Sequence, residues 1–410
     1  MVVSPDLAVS DAAAPDLSRL RIALFSGNYN YVRDGANQAL NRLAEYLLRH
    51  GAALRVYAPT TDTPAFEPTG DLVSVPGIPI PGRSEYQIPM GLSRANKRDL
   101  ATFAPNIIHV SSPDPTGHSA VRWATEHDTP VLASVHTRFE TYPRYYGLGF
   151  TEPLVEAICR RFYHRCDALV APSQSMVDTL LEQEMHDDIA IWSRGVDRTV
   201  FDPSRRDLEW RRSLGIADDE VVIVFLGRLV MEKGLDTFAE TIIQLRRDQV
   251  PHRVMVIGDG PARKWFEHAL PGGVFVGFQT GADLGRALAS GDVFFNPSIT
   301  ETFGNVTLEA MASGLPVVAA GATGASSLVE EWETGRLVES CGVSCFAEAI
   351  APYCTNHDLR ARHGKAGEIK SREFSWDAIN RVVADTYLRL LETREAEREA
   401  DRLADKAAAR

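Results

Sequence analysis

Val221-Val-Ile-Val-Phe-Leu226 is apolar at every position and stops on Gly227. A strand with no polar face is covered on both sides, the condition of a strand inside a parallel sheet layered between helices. The covering helix is legible next, with Leu235, Phe238, Ala239, Ile242 and Leu245 on one stripe. The same unit recurs. Arg21–Ser26 reads as a strand, Ala36–Arg49 as a helix whose Leu40, Leu43, Ala44 and Leu47 share a face, and Leu54–Tyr57 as the next strand. Asn106–Val110, Val131–Val135 and Ala168–Ala171 supply further strands, interleaved with helical patterns at Gly117–Glu126 and Pro153–Tyr163. Past Gly227, strands are expected at Val254–Gly258, Asp292–Asn296 and Pro316–Ala320. The pattern predicts a doubly wound α/β protein whose ligands lie at the carboxyl ends of its strands. A chain of 410 residues exceeds what one core serves, so two such domains are expected.

Composition excludes several classes. A net charge of −12 argues against a nucleic-acid binder. Residues 1–18 lack the basic start and apolar run of a signal peptide and are expected to be a disordered tail; no stretch reaches the length of a membrane span. Cys341 and Cys345 have no histidine at ligand spacing and read as reduced thiols of a cytoplasmic protein. Pro59–Arg83 is expected to be irregular apart from a short strand at Leu72–Val75. Arg83–Arg98 sets Tyr86, Ile88, Pro89, Met90 and Leu92 beside Arg94, Lys97 and Arg98, and reads either as a surface helix or as an interfacial patch on lipid headgroups. Arg138, Tyr142, Arg144 and Tyr145, continuing into Tyr146, Phe150, Arg160, Arg161 and Arg165, are a candidate acceptor surface for an anionic lipid or its membrane. Arg and Tyr can also simply lie over apolar neighbours.

Two places carry candidate chemistry. Arg228 follows the apolar strand directly, and Lys233 precedes Gly234 and the helix. Both cations are thus expected where a diphosphate would bind, Arg gripping two oxygens and Lys acting as a point charge. The second place is Asn296-Pro-Ser-Ile-Thr-Glu-Thr-Phe-Gly-Asn-Val-Thr-Leu-Glu309, a strand end, a loop and a helix running to Gly314. On one continuous helix Glu301 and Glu309 would sit roughly 80° apart. A loop placement for Glu301, with Gly304 permitting the turn, instead folds it back to the helix start. There the unpaired amides of Thr302, Phe303, Gly304, Asn305 and Val306 favour a negative group such as a diphosphate. The pair alone fits equally a first-turn glutamate and a solvated helix residue.

The flanking text tips that balance. Ser298-Ile-Thr-Glu-Thr-Phe-Gly-Asn-Val-Thr-Leu-Glu-Ala-Met-Ala-Ser-Gly-Leu-Pro-Val-Val318 closely resembles the signature of the retaining glycosyltransferases of family four, which have the GT-B fold. The Thr-Glu-Thr-Phe-Gly-Asn form is that of a bacterial subgroup containing GDP-mannose-dependent α-mannosyltransferases and sulfoquinovosyl or glycolipid synthases. Gly227-Arg-Leu-Val-Met-Glu-Lys-Gly234 is similar to the family's diphosphate motif, and His136-Thr-Arg-Phe-Glu-Thr-Tyr-Pro-Arg-Tyr-Tyr-Gly147 to its acceptor-side histidine loop. The resemblance implies two Rossmann-like domains facing across a cleft, an acceptor domain at 19–200 after the tail at 1–18, a donor domain at 201–373 and a crossover helix at 374–392 returning to the first domain. The Glu/Arg/Ala sequence that follows, with its i,i+4 charge pairs, predicts a charged tail at 393–410 that is a solvated or frayed helix. It implies that His136 approaches the donor sugar, that Gly35 contacts the diphosphate, that Gly277 and Phe278 meet the base through backbone, that Glu301 binds sugar hydroxyls and that Glu309 holds the ribose. His136 read without the family is equally a histidine bonding a loop backbone.

The implied reaction moves a hexose with retention from GDP-mannose, a UDP-hexose or a UDP-hexuronate to a hydroxyl acceptor. That acceptor is a glycan or a membrane lipid, the latter with peripheral contact at the inner face of the membrane. The chain has no Asp-x-Asp, so no metal or other cofactor is expected and Arg228, Lys233 and the helix-start amides must meet the leaving charge. A non-catalytic sugar-nucleotide-binding protein and an epimerase on the same plan are the alternatives; the full Glu-x7-Glu motif favours transfer over epimerisation.

Overall fold

The computed structural model of the protein describes residues 15–31, 35–80, 83–136, 149–299, 303–321, 324–339 and 342–408. The chain divides into two compact units, Met1–Ser193 together with Asp377–Arg410, and Arg194–Trp376.

The first unit is built on β1 (Arg21–Phe25), α1 (Gly35–Arg49), β2 (Ala53–Ala58), β3 (Asp71–Ser74), the hairpin β4 (Gly77–Ile80) and β5 (Arg83–Pro89), α2 (Arg94–Phe103), β6 (Ile107–Val110), α3 (Pro115–Glu126), β7 (Val131–Ser134), α4 (Glu152–Tyr163), β8 (Ala168–Ala171), α5 (Gln174–Glu182) and β9 (Ile189–Ile191). Its parallel sheet has the order β3-β2-β1-β6-β7-β8-β9. β1, β6, β7 and β8 are the runs that carry almost no polar residue, and they lie at its buried centre. Helix starts are marked by side chains that take up otherwise unpaired amides: Ser93 caps α2, Asp114 caps α3 and Ser173 caps α5.

The second unit contains α6 (Leu208–Ser213), β10 (Val222–Leu226), α7 (Leu235–Arg247), β11 (Arg253–Ile257), α8 (Arg263–Ala269), β12 (Val274–Gly277), α9 (Gly281–Ala289), β13 (Val293–Asn296), α10 (Asn305–Ala312), β14 (Val317–Ala320), β15 (Gly335–Val338), α11 (Val343–Thr355) and α12 (His357–Ser371). Its parallel sheet runs β12-β11-β10-β13-β14-β15. Phe225, Phe238, Phe266 and Phe295 pack ring to ring on one face, while Val224, Phe294, Leu308 and Met311 fill the other. The last helix, α13 (Trp376–Ala408), belongs to the first unit from Asp377 onward.

Several expectations change. Leu17 is fully buried and its amide bonds to the His50 carbonyl, so packed chain begins before residue 18. Residues 83–98 are not one helix, and Pro59–Arg83 holds a second strand beyond the one expected: β5 pairs antiparallel with β4, and only from Arg94 does a helix follow. The apolar residues Tyr86, Ile88, Met90 and Leu92 of that stretch alternate in sequence as a strand requires, a period hidden by Pro89. Cys345 is disulfide-bonded, not a reduced thiol, while Cys159, Cys166 and Cys354 are free and buried; Cys341 lies outside the described residues. Of the two expectations for the chain beyond Leu391, the solvated helix is the one observed: α13 continues to Ala408 with mostly exposed residues. Arg394 bridges Asp128 and Asp167, each at 2.8 Å, and Arg398 reaches Asp128 at 2.7 Å.

The two ends of the second unit are fastened to each other. The Val196 amide bonds to the Phe374 carbonyl, and Arg198 donates to the buried Glu368, which also takes Lys365 and Arg372. Burial alone would raise the Glu368 carboxyl, but the hydrogen bonds from Arg372, Lys365 and Arg198 outweigh it and hold the group down at about 2. A carboxylate whose folded pKa is depressed stabilises the protein above its unfolded value, and that contribution is lost as pH falls through the folded one. Glu368→Gln is therefore expected to lower unfolding free energy by about 2–3 kcal/mol at pH 7. In chemical denaturation across pH, the gap between parent and variant should close between the ordinary glutamate range and pH 2.

Candidate functional site

In each sheet the winding direction reverses once, between β1 and β6 in the first unit and between β10 and β13 in the second. The chains leaving two such strands turn away to opposite sides, which opens a crevice at their carboxyl ends. Both candidate segments of the second unit sit at that crevice. Arg228, exposed, and Lys233, half-buried, belong to the connection from β10 to α7. Pro297, Ser298, Phe303 and Gly304 belong to the connection from β13 to α10. The two connections touch: a Cβ built on Gly234, the residue after Lys233, would lie 3.1 Å from the Pro297 carbonyl oxygen.

Each connection is held at its base. Asn296, the last residue of β13, accepts the Ser298 amide at 3.2 Å and donates to the hydroxyl of Thr307, in the first turn of α10, at 3.3 Å. Gly304 takes φ +90° as the cap of α10, a conformation costly for any residue with a Cβ. On the other flank the Leu229 amide bonds to the Asp259 carbonyl and the Ala262 amide to the Leu229 carbonyl, so the β11 exit clasps the β10 exit. Gly258 makes this possible, since a Cβ there would fall 2.0 Å from the Gly227 carbonyl oxygen.

Among the expected donor contacts, Asn305 and Val306 occupy the first turn of α10, where the helix ladder offers their amides no partner. Glu309 stands one turn further on, half-buried. Gly277 ends β12, and Phe278 beyond it is 66 % exposed at the same edge of the sheet. Phe303 differs from expectation in one respect: its ring is buried against Phe374, which leaves its backbone, not its side chain, to meet a ligand. Glu301 and Thr302 lie outside the described residues, as do Arg138, Tyr142, Arg144 and Tyr145.

In the first unit Gly35 is the first residue of α1. His136 lies just past β7, 8 % exposed, with its ring edge-on to Trp192 at 5.3 Å and Nε2 2.9 Å from the Ser134 hydroxyl. Asp114, capping α3 at the β6 exit, faces the β1 exit, where a Cβ on Gly27 would approach its carboxylate to 3.0 Å. Burial raises the Asp114 pKa against the lowering effect of its hydrogen bonds from Ser112, Gly117 and Thr116. Asn296, Asp114 and Ser134 were not singled out from sequence. A polar residue closing an otherwise apolar strand, as in Val-Phe-Phe-Asn296 and Val-Leu-Ala-Ser134, was the available signal.

Two family models cover most of the chain: Glycosyltransferase Family 4 matches residues 33–200 and Glycosyl transferases group 1 matches residues 220–356. The GDP-mannose-dependent alpha-mannosyltransferase of Mycolicibacterium smegmatis is 31% identical over 366 residues, covering 88% of this chain and 95% of that protein. The chain belongs to glycosyltransferase family 4. A second relative of this glycosyltransferase, the sulfoquinovosyl transferase SQD2 of Arabidopsis thaliana, is 31% identical over 371 residues, 87% of this chain and 71% of its own. Among solved structures, sucrose-phosphate synthase from Thermosynechococcus elongatus aligns with a TM-score of 0.75 at 20% identity, over 91% of this chain and 99% of its own, and shares the GT-B fold. The glycosyltransferase is accordingly a nucleotide-sugar-dependent, retaining hexosyltransferase.

Because the Gly258 backbone leaves no room for a methyl group, Gly258→Ala is expected to cost at least about 2 kcal/mol of stability. It should also loosen the clasp on the Arg228 connection, visible as a lowered melting temperature together with a raised KM for the nucleotide sugar.

Proposed function

We propose that the enzyme transfers mannose from GDP-mannose to a lipid hydroxyl at an anionic membrane surface, without a metal ion. The observation that carries the donor site is the contact between the two connections at the reversal point of the second sheet, which puts Arg228, Lys233 and the α10 start around one crevice. There the diphosphate would accept hydrogen bonds from the α10 amides and both basic side chains, with Glu309 on the ribose and Glu301 on the hexose hydroxyls.

The costly event is the departure of the diphosphate, whose oxygen takes the electron pair of the broken bond to the anomeric carbon. Fixed donors already aimed at that oxygen stabilise the developing charge without reorganising. Retention then follows from attack on the face the diphosphate leaves: the acceptor oxygen bonds to the anomeric carbon and its proton passes to a phosphate oxygen of the leaving group. In this reading Glu301 is no general acid, and His136 contacts the sugar. The guanine donor is favoured by the mannosyltransferase relative, whose name specifies GDP-mannose.

The membrane reading is supported by α4. Leu154, 64 % exposed, and Ile158, 48 % exposed, stand four residues apart on one face of the helix, and Phe150, 81 % exposed, lies in the short turn Gly149–Thr151 just before it. Exposed Arg161 follows on the same helix and exposed Arg165 just past its end, and the charges of Arg165 and of Arg122 on α3 both help to lower the His118 pKa, after burial. Apolar side chains beside a cluster of arginines, on a chain of net charge −12, suit a surface of acyl chains and anionic headgroups. Among the described residues no helix is long and apolar enough to cross a membrane.

In a nucleotide-release assay with GDP-mannose, UDP-glucose, UDP-glucuronate and UDP-galactose, turnover should be highest with GDP-mannose and undiminished by EDTA; a preference for a UDP sugar moves the donor reading to that sugar. Arg228→Ala and Lys233→Ala should each lower turnover more than tenfold, and near-parental kinetics in both would remove them from the site. Leu154→Asp with Ile158→Asp should abolish sedimentation with phosphatidylglycerol vesicles and leave release of nucleotide to water unchanged.

A further inference from the structure

β6 and β7 are apolar strands that each carry one polar side chain into the core, His109 and Ser134. They join a line of hydrogen bonds running from the last helix of the chain to His136. The Tyr387 hydroxyl of α13 lies 2.5 Å from His109 Nδ1, His109 Nε2 lies 2.8 Å from the Ser134 hydroxyl, and that hydroxyl lies 2.9 Å from His136 Nε2. All of them are buried in the first unit.

The direction of the line is set by counting protons. Burial pushes the His109 imidazole down to about 3, so it is neutral and has one N–H, and burial holds Tyr387 in its protonated form. Among the described residues the Tyr387 hydroxyl has His109 Nδ1 as its partner and no second acceptor, so it donates there. His109 must then carry its hydrogen on Nε2 and donate to Ser134. The Ser134 oxygen, 2 % exposed, has the two imidazole nitrogens as partners, and its own hydrogen can go only to His136 Nε2. The opposite direction would leave a Tyr387 hydroxyl hydrogen buried without an acceptor.

We infer that Tyr387, His109 and Ser134 form a one-way hydrogen-bond relay that fixes His136 in the tautomer with its hydrogen on Nδ1, and that α13 thereby positions the histidine for sugar transfer. α13 acts twice: Asn380, two turns before Tyr387 on the same face, accepts the indole N–H of Trp192 at 3.1 Å, and Trp192 stands edge-on to both His109 and His136. With Nε2 accepting inside the protein, the hydrogen that His136 carries is held on Nδ1. The catalytic consequence rests on the placement of His136 at the sugar; the tautomer does not.

The test is a long-range 1H–15N correlation spectrum of the full chain labelled with 15N-histidine, the His136 signals identified by their loss in His136→Gln. Hydrogen on Nε2 of His109 and on Nδ1 of His136 is expected, with Ser134→Ala converting His136 to the other tautomer or a mixture and Ser134→Thr retaining the parental pattern. Ser134→Ala should lower kcat about tenfold, rescued by Ser134→Thr. A parental His136 with its hydrogen on Nε2, or one unmoved in Ser134→Ala, overturns the relay. If the tautomer moves but kcat does not, His136→Ala separates the causes: a damaging His136→Ala ends the positioning role of the relay, and a harmless one ends the placement of His136 at the sugar.

Discussion

Where a parallel sheet reverses its winding, the chain leaving one central strand and the chain leaving its neighbour part company, and the space between them is lined by backbone with nothing above it. In the second unit that space lies between β10 and β13. Much of the second unit around it keeps the two borders in register. Gly258 lets the β11 exit press on the β10 exit, Asn296 ties the β13 exit to Thr307, and Gly234 lets the two exits meet at Pro297. Charge then needs no long reach: Arg228 and Lys233 stand on one border and the first turn of α10 on the other.

The fold was readable because both sheets have centres that are apolar on both faces, and runs such as Val222–Leu226 and Val131–Ser134 can be nothing else at that length. Edge elements were less so. β9 and β15 are only partly buried, so their composition is ordinary, and the β4–β5 hairpin hid its period behind prolines. In the second unit the positions of Arg228, Lys233 and Gly304 between a strand and a helix, and of Glu309 on the helix that follows, were legible from the local pattern and a long family signature. The bonds that fix those residues were not. Asn296 to Thr307 spans eleven positions and Arg198 to Glu368 spans 170, and no local pattern reports a pairing over such distances. The same holds for α13, whose Glu- and Arg-rich end reads as a solvated helix with no sign of its bridges to Asp128 and Asp167.

The first unit shows how few polar groups a buried parallel sheet tolerates and how completely they are matched. His109 and Ser134 interrupt β6 and β7, and each finds partners that leave neither hydroxyl nor imidazole idle. Trp192, Asn380 and Tyr387 complete that cluster, and they come from the end of β9 and from α13, the two parts of the unit separated by the whole of the second. His136, at the exit of β7, is thus linked to chain more than two hundred positions away in sequence.

That separation makes the second unit an insertion. Residues 194–376 begin and end on the same bond, Val196 to Phe374, with Arg198 and Glu368 beside it. During synthesis the inserted unit can close on itself as soon as Trp376 has left the ribosome, whereas the host unit, though begun first, must wait for Tyr387 and Arg394 before its own interior is complete. The second unit's own contacts are therefore all encoded before the first unit's are, and a chain ended ahead of Tyr387 would lack the residues that complete the first unit's interior.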